Sequence, residues 1–258
     1  MSEMYEVDES VHYNEILNTL LAKQPAICID VETEGLNWRK DKLLSVSMSI
    51  SDDYSWMFYP LDAGDMDIMK QSFRHFFTRY EGLLIFHNAK FDLSFFREFL
   101  GMDLSHLRVS DTVLMAGLLD ENRRLGLEHL AKEMYGLAKP GLEDLIIRNT
   151  FDSRVTFKVW NDLRGPITKD FKSLYLSEID LMKTLMDTEK VGLPLDMVKL
   201  KVRISEYNKR MLVLMQELTA RFGKCNPTAT ADLSRILKEL GHESVINTTD
   251  KGNDSIKD

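Results

Sequence analysis

Residues 27–37, ICIDVETEGLN, decide the fold. Ile27, Cys28, Ile29 and Val31 are apolar and mostly β-branched, the composition of a buried strand. Yet the run carries Asp30 and Glu32 at its end, with Glu34 following before Gly35 breaks it. Alternate residues of a strand share a face, so Asp30 and Glu32 point the same way. Two like charges side by side are costly to bury unless something positive lies between them. A strand end built to face a cation is therefore the first expectation.

The pattern outward from this strand is mixed. An amphipathic helix is expected over residues 10–22. Further strands are expected at LLSVSMSI (43–50) and YSWMFYP (54–60), joined by the short polar links GLNWRKDK and SDD. Helical spacing follows over 66–80, then the short apolar strand LLIFH (83–87) and a helix that Gly101 stops. DTVLMAGLLD and GLEHLAKEMYG read as two more helices. Between about 140 and 170 the pattern weakens, and DLRGPIT reads as a turn. From there the chain reads as helix throughout, broken at VGLPLD. Consecutive strands followed by strand–helix alternation predict an α/β domain with a mixed sheet over residues 1–170, and an all-helical segment over 171–258.

The second informative stretch is FHNAKFD, residues 86–92. It leaves a strand and opens a helix, which puts Asp92 in the first helical turn. Each acid alone has an ordinary explanation: Asp92 as a helix N-terminal acid, Asp30 and Glu32 as solvated charges on an edge strand. Together, a strand ending D-x-E-T-x-G and a second ending N-x-x-x-D form a carboxylate cluster. Oxygen ligands of this kind suit Mg²⁺ or Mn²⁺, and two such ions can promote phosphodiester hydrolysis.

IDVETEGL and HNAKFD resemble motifs I and II of the DEDD 3′–5′ exonucleases, and more narrowly the proofreading domain of family A DNA polymerases. SDTVLMAGLLDENRRLGLEHLAKEMYG resembles the D-T-x-L and G-L-x-x-L-A helices of that domain. EIDLMKTLMDTEKVGLPLD looks like the opening helix of the polymerase domain, and CNPTATADLSRILKELG like its thumb segment. The resemblance implies an RNase H-like five-stranded mixed sheet and two Mg²⁺ or Mn²⁺ ions held by Asp30, Glu32 and Asp92. It also implies that Thr33, Leu36 and Asn88 contact the 3′-terminal nucleotide of single-stranded DNA. Motif III of the family, Y-x-x-x-D, supplies a fourth ligand. Here Tyr175 and Asp180 are five residues apart, about 140° around a helix at ~100° per residue. Asp180 and Thr184 do keep the D-x-x-x-T spacing of that motif, whereas Asp162 and Asp170 lack a tyrosine four residues earlier. Three readings stay open: Asp180 is a shifted fourth ligand, a different acid substitutes, or motif III is lost.

The chain ends at TTDKGNDSIKD, where the polymerase of this family begins its palm. The expectation is one part of a split or truncated polymerase, with the aliphatic faces after residue 172 docking a separate polymerase chain or folding back on the nuclease. The function read from the sequence is a metal-dependent 3′–5′ DNA exonuclease. The alternative is a catalytically weakened scaffold that binds single-stranded DNA or a polymerase subunit.

The totals agree with an enzyme. Of 258 residues, 44% are hydrophobic and 29% charged, enough apolar material for a core. The net charge of −8 argues against a non-specific nucleic-acid coat. Two distant cysteines, Cys28 and Cys225, argue against a disulfide framework. With neither a signal peptide nor an apolar run of membrane-spanning length, a cytoplasmic protein is expected.

Overall fold

The computed structural model describes residues 3–7, 10–141, 145–242, 246–248 and 254–256, and it divides into two compact units, Met1–Gly192 and Leu193–Asp258. The first unit is built on a mixed sheet of β1 (Glu3–Val7), β2 (Ile27–Thr33), β3 (Leu43–Ser49), β4 (Tyr54–Phe58), β5 (Leu83–Phe86) and β6 (Arg108–Asp111). The strand order is β1-β4-β3-β2-β5-β6. β3 runs antiparallel to both β2 and β4, while β5 is parallel to β2 and to β6. The expected mixed sheet is present, with one more strand than the expected five, because β1 pairs in parallel along the outer edge of β4.

The alternation of β2 separates two cores. Ile27, Ile29 and Val31 face α1 (Ser10–Lys23), α2 (Ala63–Arg79) and α3 (Ala89–Leu100), in a cluster with Tyr13, Leu17, Phe73, Phe77 and Phe96. Phe73 is fully buried, with its ring edge-on to Phe58 and close to Phe77 and Phe96. Truncating Phe73 to alanine is expected to lower unfolding stability by about 3–5 kcal/mol, read as a urea midpoint shift. On the other face Cys28 and Ile85 meet α4 (Thr112–Leu119), α5 (Leu127–Tyr135) and α6 (Leu145–Pro166).

α6 occupies the region that reads as weakly patterned in sequence. Phe151, Val155, Val159, Leu163 and Ile167 recur every fourth residue and are all buried, which is helical spacing. Polar residues between them obscure it: Thr150, Ser153 and Thr156 are buried as well. They face Ser45, Ser47 and Ser49 of β3, and Ser49 Oγ lies 2.8 Å from Ser153 Oγ. Small side chains on both surfaces let the helix lie close to the sheet. DLRGPIT is helix too, not a turn. The chain widens into a π turn over Ile167–Phe171, directly after Pro166, and continues as α7 (Lys172–Val191). A proline lacks the N–H of a regular turn and crowds the preceding one, and a π turn accommodates that.

α7 buries Tyr175, Ile179, Met182 and Met186 in the cores of the first unit. By packing, this unit therefore runs past the residue 170 suggested by the sequence, and α7 folds back on the sheet domain. The second unit contains α8 (Met197–Phe222), α9 (Thr230–Glu239) and a hairpin of β7 (Ile246–Thr248) and β8 (Asp254–Ile256), so it is helical except for that hairpin. Asp196 caps α8, accepting from the Val198 and Lys199 amides at 3.1 and 3.0 Å. Most of TTDKGNDSIKD lies outside the described residues.

Candidate metal centre

The parallel strands β2, β5 and β6 deliver their carboxyl ends to one edge of the sheet, the place where open α/β sheets bind ligands. Asp30 and Glu32 sit there on β2, on the α6 side with Cys28. A strand advances ~6.6 Å every two residues and a helix ~6 Å every four. A helix lying antiparallel to β2 can thus match residues 28, 30 and 32 with its own 156, 152 and 148. The pairings follow that register: Thr156 lies beside Cys28, Asp152 repels Asp30, and Arg148 attracts Glu32. Asp30, Glu32 and Asp152 each bring a carboxylate oxygen to within 4.8 Å of the other two.

Asp92, in the first turn of α3, is buried, and its Oδ1 accepts from the Val31 amide at 3.1 Å. Burial pushes its carboxyl well above the usual carboxylate range, with the Asp111 and Glu32 charges adding to the rise. Asp30 is also raised well above that range, by burial and then by Asp92, Asp152 and Glu32. Glu32 and Asp152 are raised by burial too, and both are held back by the Lys139 and Arg148 cations. Four carboxyls thus converge with each disfavouring the ionisation of its neighbours. A hard divalent cation is the group this all-oxygen set fits.

The acid that closes the cluster is Asp152, which the sequence reading passed over. Asp180 lies elsewhere. It is exposed on α7, and the structure gives it only a backbone role, its carbonyl accepting from Thr184 Oγ1 at 2.9 Å. Tyr175 points inward: its hydroxyl is 2.8 Å from Ser110 Oγ and accepts from the Asp111 amide at 2.7 Å. The two residues diverge around α7, as their five-residue spacing requires. Burial raises the Tyr175 hydroxyl to about 12. Removing that hydroxyl by Tyr175→Phe should cost about 1–3 kcal/mol, since a buried amide and a buried serine lose their partner. A chemical denaturation midpoint measures it.

Asp111 anchors the junction between β5 and α3. Its carboxylate accepts from the Asn88, Ala89, Val113 and Leu114 amides, at 3.2, 2.7, 2.8 and 3.4 Å. This holds Asn88 in the left-handed region, φ 74°, at the start of α3, a conformation that asparagine tolerates better than most residues. The Asn88 side chain is exposed. His87, beside it, hydrogen-bonds Thr112 Oγ1 at 2.8 Å, and burial lowers its ring to about 4, so it is neutral at physiological pH. Thr33 Oγ1 donates to the Gly35 carbonyl at 2.7 Å, and Leu36 is 85% exposed at the tip of the following loop. Asp41 folds over Gly35, so that a β-carbon there would displace its carboxylate, and it accepts from the Asn37 amide at 2.7 Å.

Asp152 was within reach of sequence reading. The D-x-x-x-T spacing seen at Asp180 and Thr184 also occurs at Asp152 and Thr156, on the stripe of α6 that faces β2. What hid it was the missing tyrosine: the residue four before Asp152 is Arg148.

An RNase H-like sheet with this acidic edge defines a class of nucleases, and the sequence comparison assigns the family. The pattern of the 3′–5′ exonuclease family of DNA polymerase A proteins matches residues 4–148, and the chain belongs to that family. Among curated proteins it is similar to DNA polymerase I of Borreliella burgdorferi, 26% identical over 203 residues, which are 70% of this chain and 22% of that polymerase. The chain thus matches about a fifth of that relative. Its fold resembles the POL domain of Pol1 from M. smegmatis, solved in complex with DNA primer-template and dNTP. The TM-score there is 0.71 at 16% identity, covering 99% of this chain and 44% of that one. It also resembles Brucella melitensis NrnC with bound Mg²⁺, with a TM-score of 0.53 at 17% identity over 73% of this chain and 92% of that one. Among the described residues, no helix is long and apolar enough to cross a membrane.

Proposed function

We propose that the chain removes nucleotides from the 3′ end of single-stranded DNA, as the proofreading part of a family A polymerase. The observation that carries this reading is the approach of Asp30, Glu32 and Asp152 to within 4.8 Å beside the buried Asp92. These four carboxylates hold two Mg²⁺ or Mn²⁺ ions. Ions there supply Lewis-acid activation of a water and neutralise the charge that develops on the departing oxygen. Position 152 takes the place proposed from sequence for Asp180. Thr33 ends β2 next to Glu32, Leu36 lies in the loop that follows and Asn88 opens α3; they receive the terminal nucleotide, with the exposed Leu36 lying against its base.

Arg148 stands where the family pattern has tyrosine, so no phenol orients the attacking water. The rate is accordingly lower than that of a tyrosine-bearing relative, and retained carboxylates favour an enzyme over a pure scaffold. A separate polymerase chain is the proposed partner. In support, α8 has no buried residue and exposes Ile204, Tyr207, Met211 and Leu214, an apolar surface of the kind that marks interaction sites.

The test is incubation of 5′-labelled DNA and RNA strands with the protein in Mn²⁺ or in EDTA. A ladder shortening from the 3′ end of the DNA, faster than on RNA and absent in EDTA, is expected. No shortening by the folded protein contradicts the enzyme reading, and faster RNA trimming contradicts the choice of DNA.

A further inference from the structure

Within the acidic centre lies a cation whose place no sequence motif accounts for. Lys139, in the stretch between α5 and α6, pairs through Nζ with Asp152 Oδ2, and both side chains are largely buried, 18% and 17% exposed. Asp152 is also one of the three acids that converge within 4.8 Å. An ammonium and a divalent ion on the same carboxylate repel each other at close range in a partly desolvated site, so they compete for it.

The stretch that carries Lys139 is tied to the same helix. Arg148, one turn before Asp152, donates to the Pro140 carbonyl at 2.7 Å. That bond does not depend on the lysine's own ion pair. Lys139 can therefore release Asp152 and stay beside the site, a movement that its flexible four-carbon stem permits.

Charge counting indicates where the ammonium goes. Asp30, Glu32, Asp92 and Asp152 carry four negative charges when ionised, which two divalent ions neutralise. Lys139 and Arg148 then remain as positive charge at the edge of the site, and the incoming phosphodiester brings a negative one. Ammonium and guanidinium groups are the ordinary phosphate partners of proteins.

We infer that Lys139 is an exchangeable counter-ion of this centre: it neutralises Asp152 until a divalent ion binds, then yields that carboxylate and takes the substrate phosphate. The inference rests on the metal-centre reading above and adds a residue outside the family motifs to the substrate site.

Calorimetric titration of Mn²⁺ into the full chain tests it, comparing the wild type with Lys139→Met and with the charge-preserving Lys139→Arg, each first checked for its native circular dichroism. Lys139→Met should bind Mn²⁺ about tenfold more tightly than wild type, with Lys139→Arg close to wild type. In the Mn²⁺-loaded proteins, Lys139→Met should bind a nucleoside 5′-monophosphate about tenfold more weakly. Equal or weaker Mn²⁺ affinity in Lys139→Met overturns the competition while leaving the metal centre standing, and unchanged nucleotide affinity overturns the transfer to phosphate. If no form of the protein, wild type included, binds Mn²⁺ at millimolar concentration, the metal centre itself is contradicted and the inference falls with it.

Discussion

Replacing Asp152 with asparagine should lower the rate of 3′-terminal nucleotide release by about 10³-fold or more, a loss of ~4 kcal/mol of transition-state stabilisation. Asp180→Asn should leave the rate within about twofold, as for a surface substitution away from the site. The contrast follows from placement. Asp152 shares the 4.8 Å cluster with Asp30 and Glu32, while Asp180 is exposed on α7. Asparagine keeps the size of Asp152 and removes its charge, one ligand oxygen and the ion pair with Lys139, so a fall in rate reports loss of the charged centre and not loss of side-chain volume. The pair of variants also separates two explanations of a weak wild-type rate. If Arg148 in place of tyrosine is the cause, Asp152→Asn still removes nearly all of the remaining activity.

The second large effect is on stability, and it has opposite signs with and without metal. Asp30, Asp92 and Asp152 all have carboxyls raised in the folded protein, above unfolded values near 3.9. A raised acid holds its proton in the folded state after the unfolded chain has lost it. Stability from these groups is therefore present below about pH 4 and declines as pH rises through the folded values. In EDTA the melting temperature should fall between pH 5 and pH 7.5 by this contribution. Asp30→Asn should raise the melting temperature at pH 7.5 in EDTA and flatten the dependence, because it removes the most crowded charge. With Mn²⁺ at a hundredfold excess over its Kd, the wild type should gain about 2.7 kcal/mol, or ~5–10 °C for a unit of this size. Asp30→Asn should lose most of that gain. Differential scanning calorimetry across pH, with and without Mn²⁺, reads both.

These expectations differ in how much of them the sequence carries. The sheet is legible because the signal is local: β2 shows alternation, strand propensity and two acids of equal parity in seven residues. Asp92 is legible for the same reason, being fixed by a strand-to-helix junction. Asp152 is not, because its meaning depends on a helix–strand register spanning 120 residues, and because serines and threonines dilute the apolar stripe of α6. Those residues are where the helix must lie close to β3, so tertiary packing replaced hydrophobicity with small size. β1 was missed as a five-residue edge strand that pairs on one side only, and α7 joined the first unit through four buried side chains scattered along a polar helix. The Lys139–Asp152 pair leaves no trace in a linear pattern, since neither its spacing nor its composition is unusual.

The central claim is that Asp30, Glu32 and Asp152, with Asp92, hold divalent ions. The most direct measurement is an anomalous difference map from crystals grown with Mn²⁺ and a short single-stranded DNA. The account predicts a strong peak bonded by carboxylate oxygens of Asp30, Glu32 and Asp152, with the 3′ end of the DNA beside it. Ordered DNA with no peak at those three residues, or a peak bound by Asp180, would contradict it.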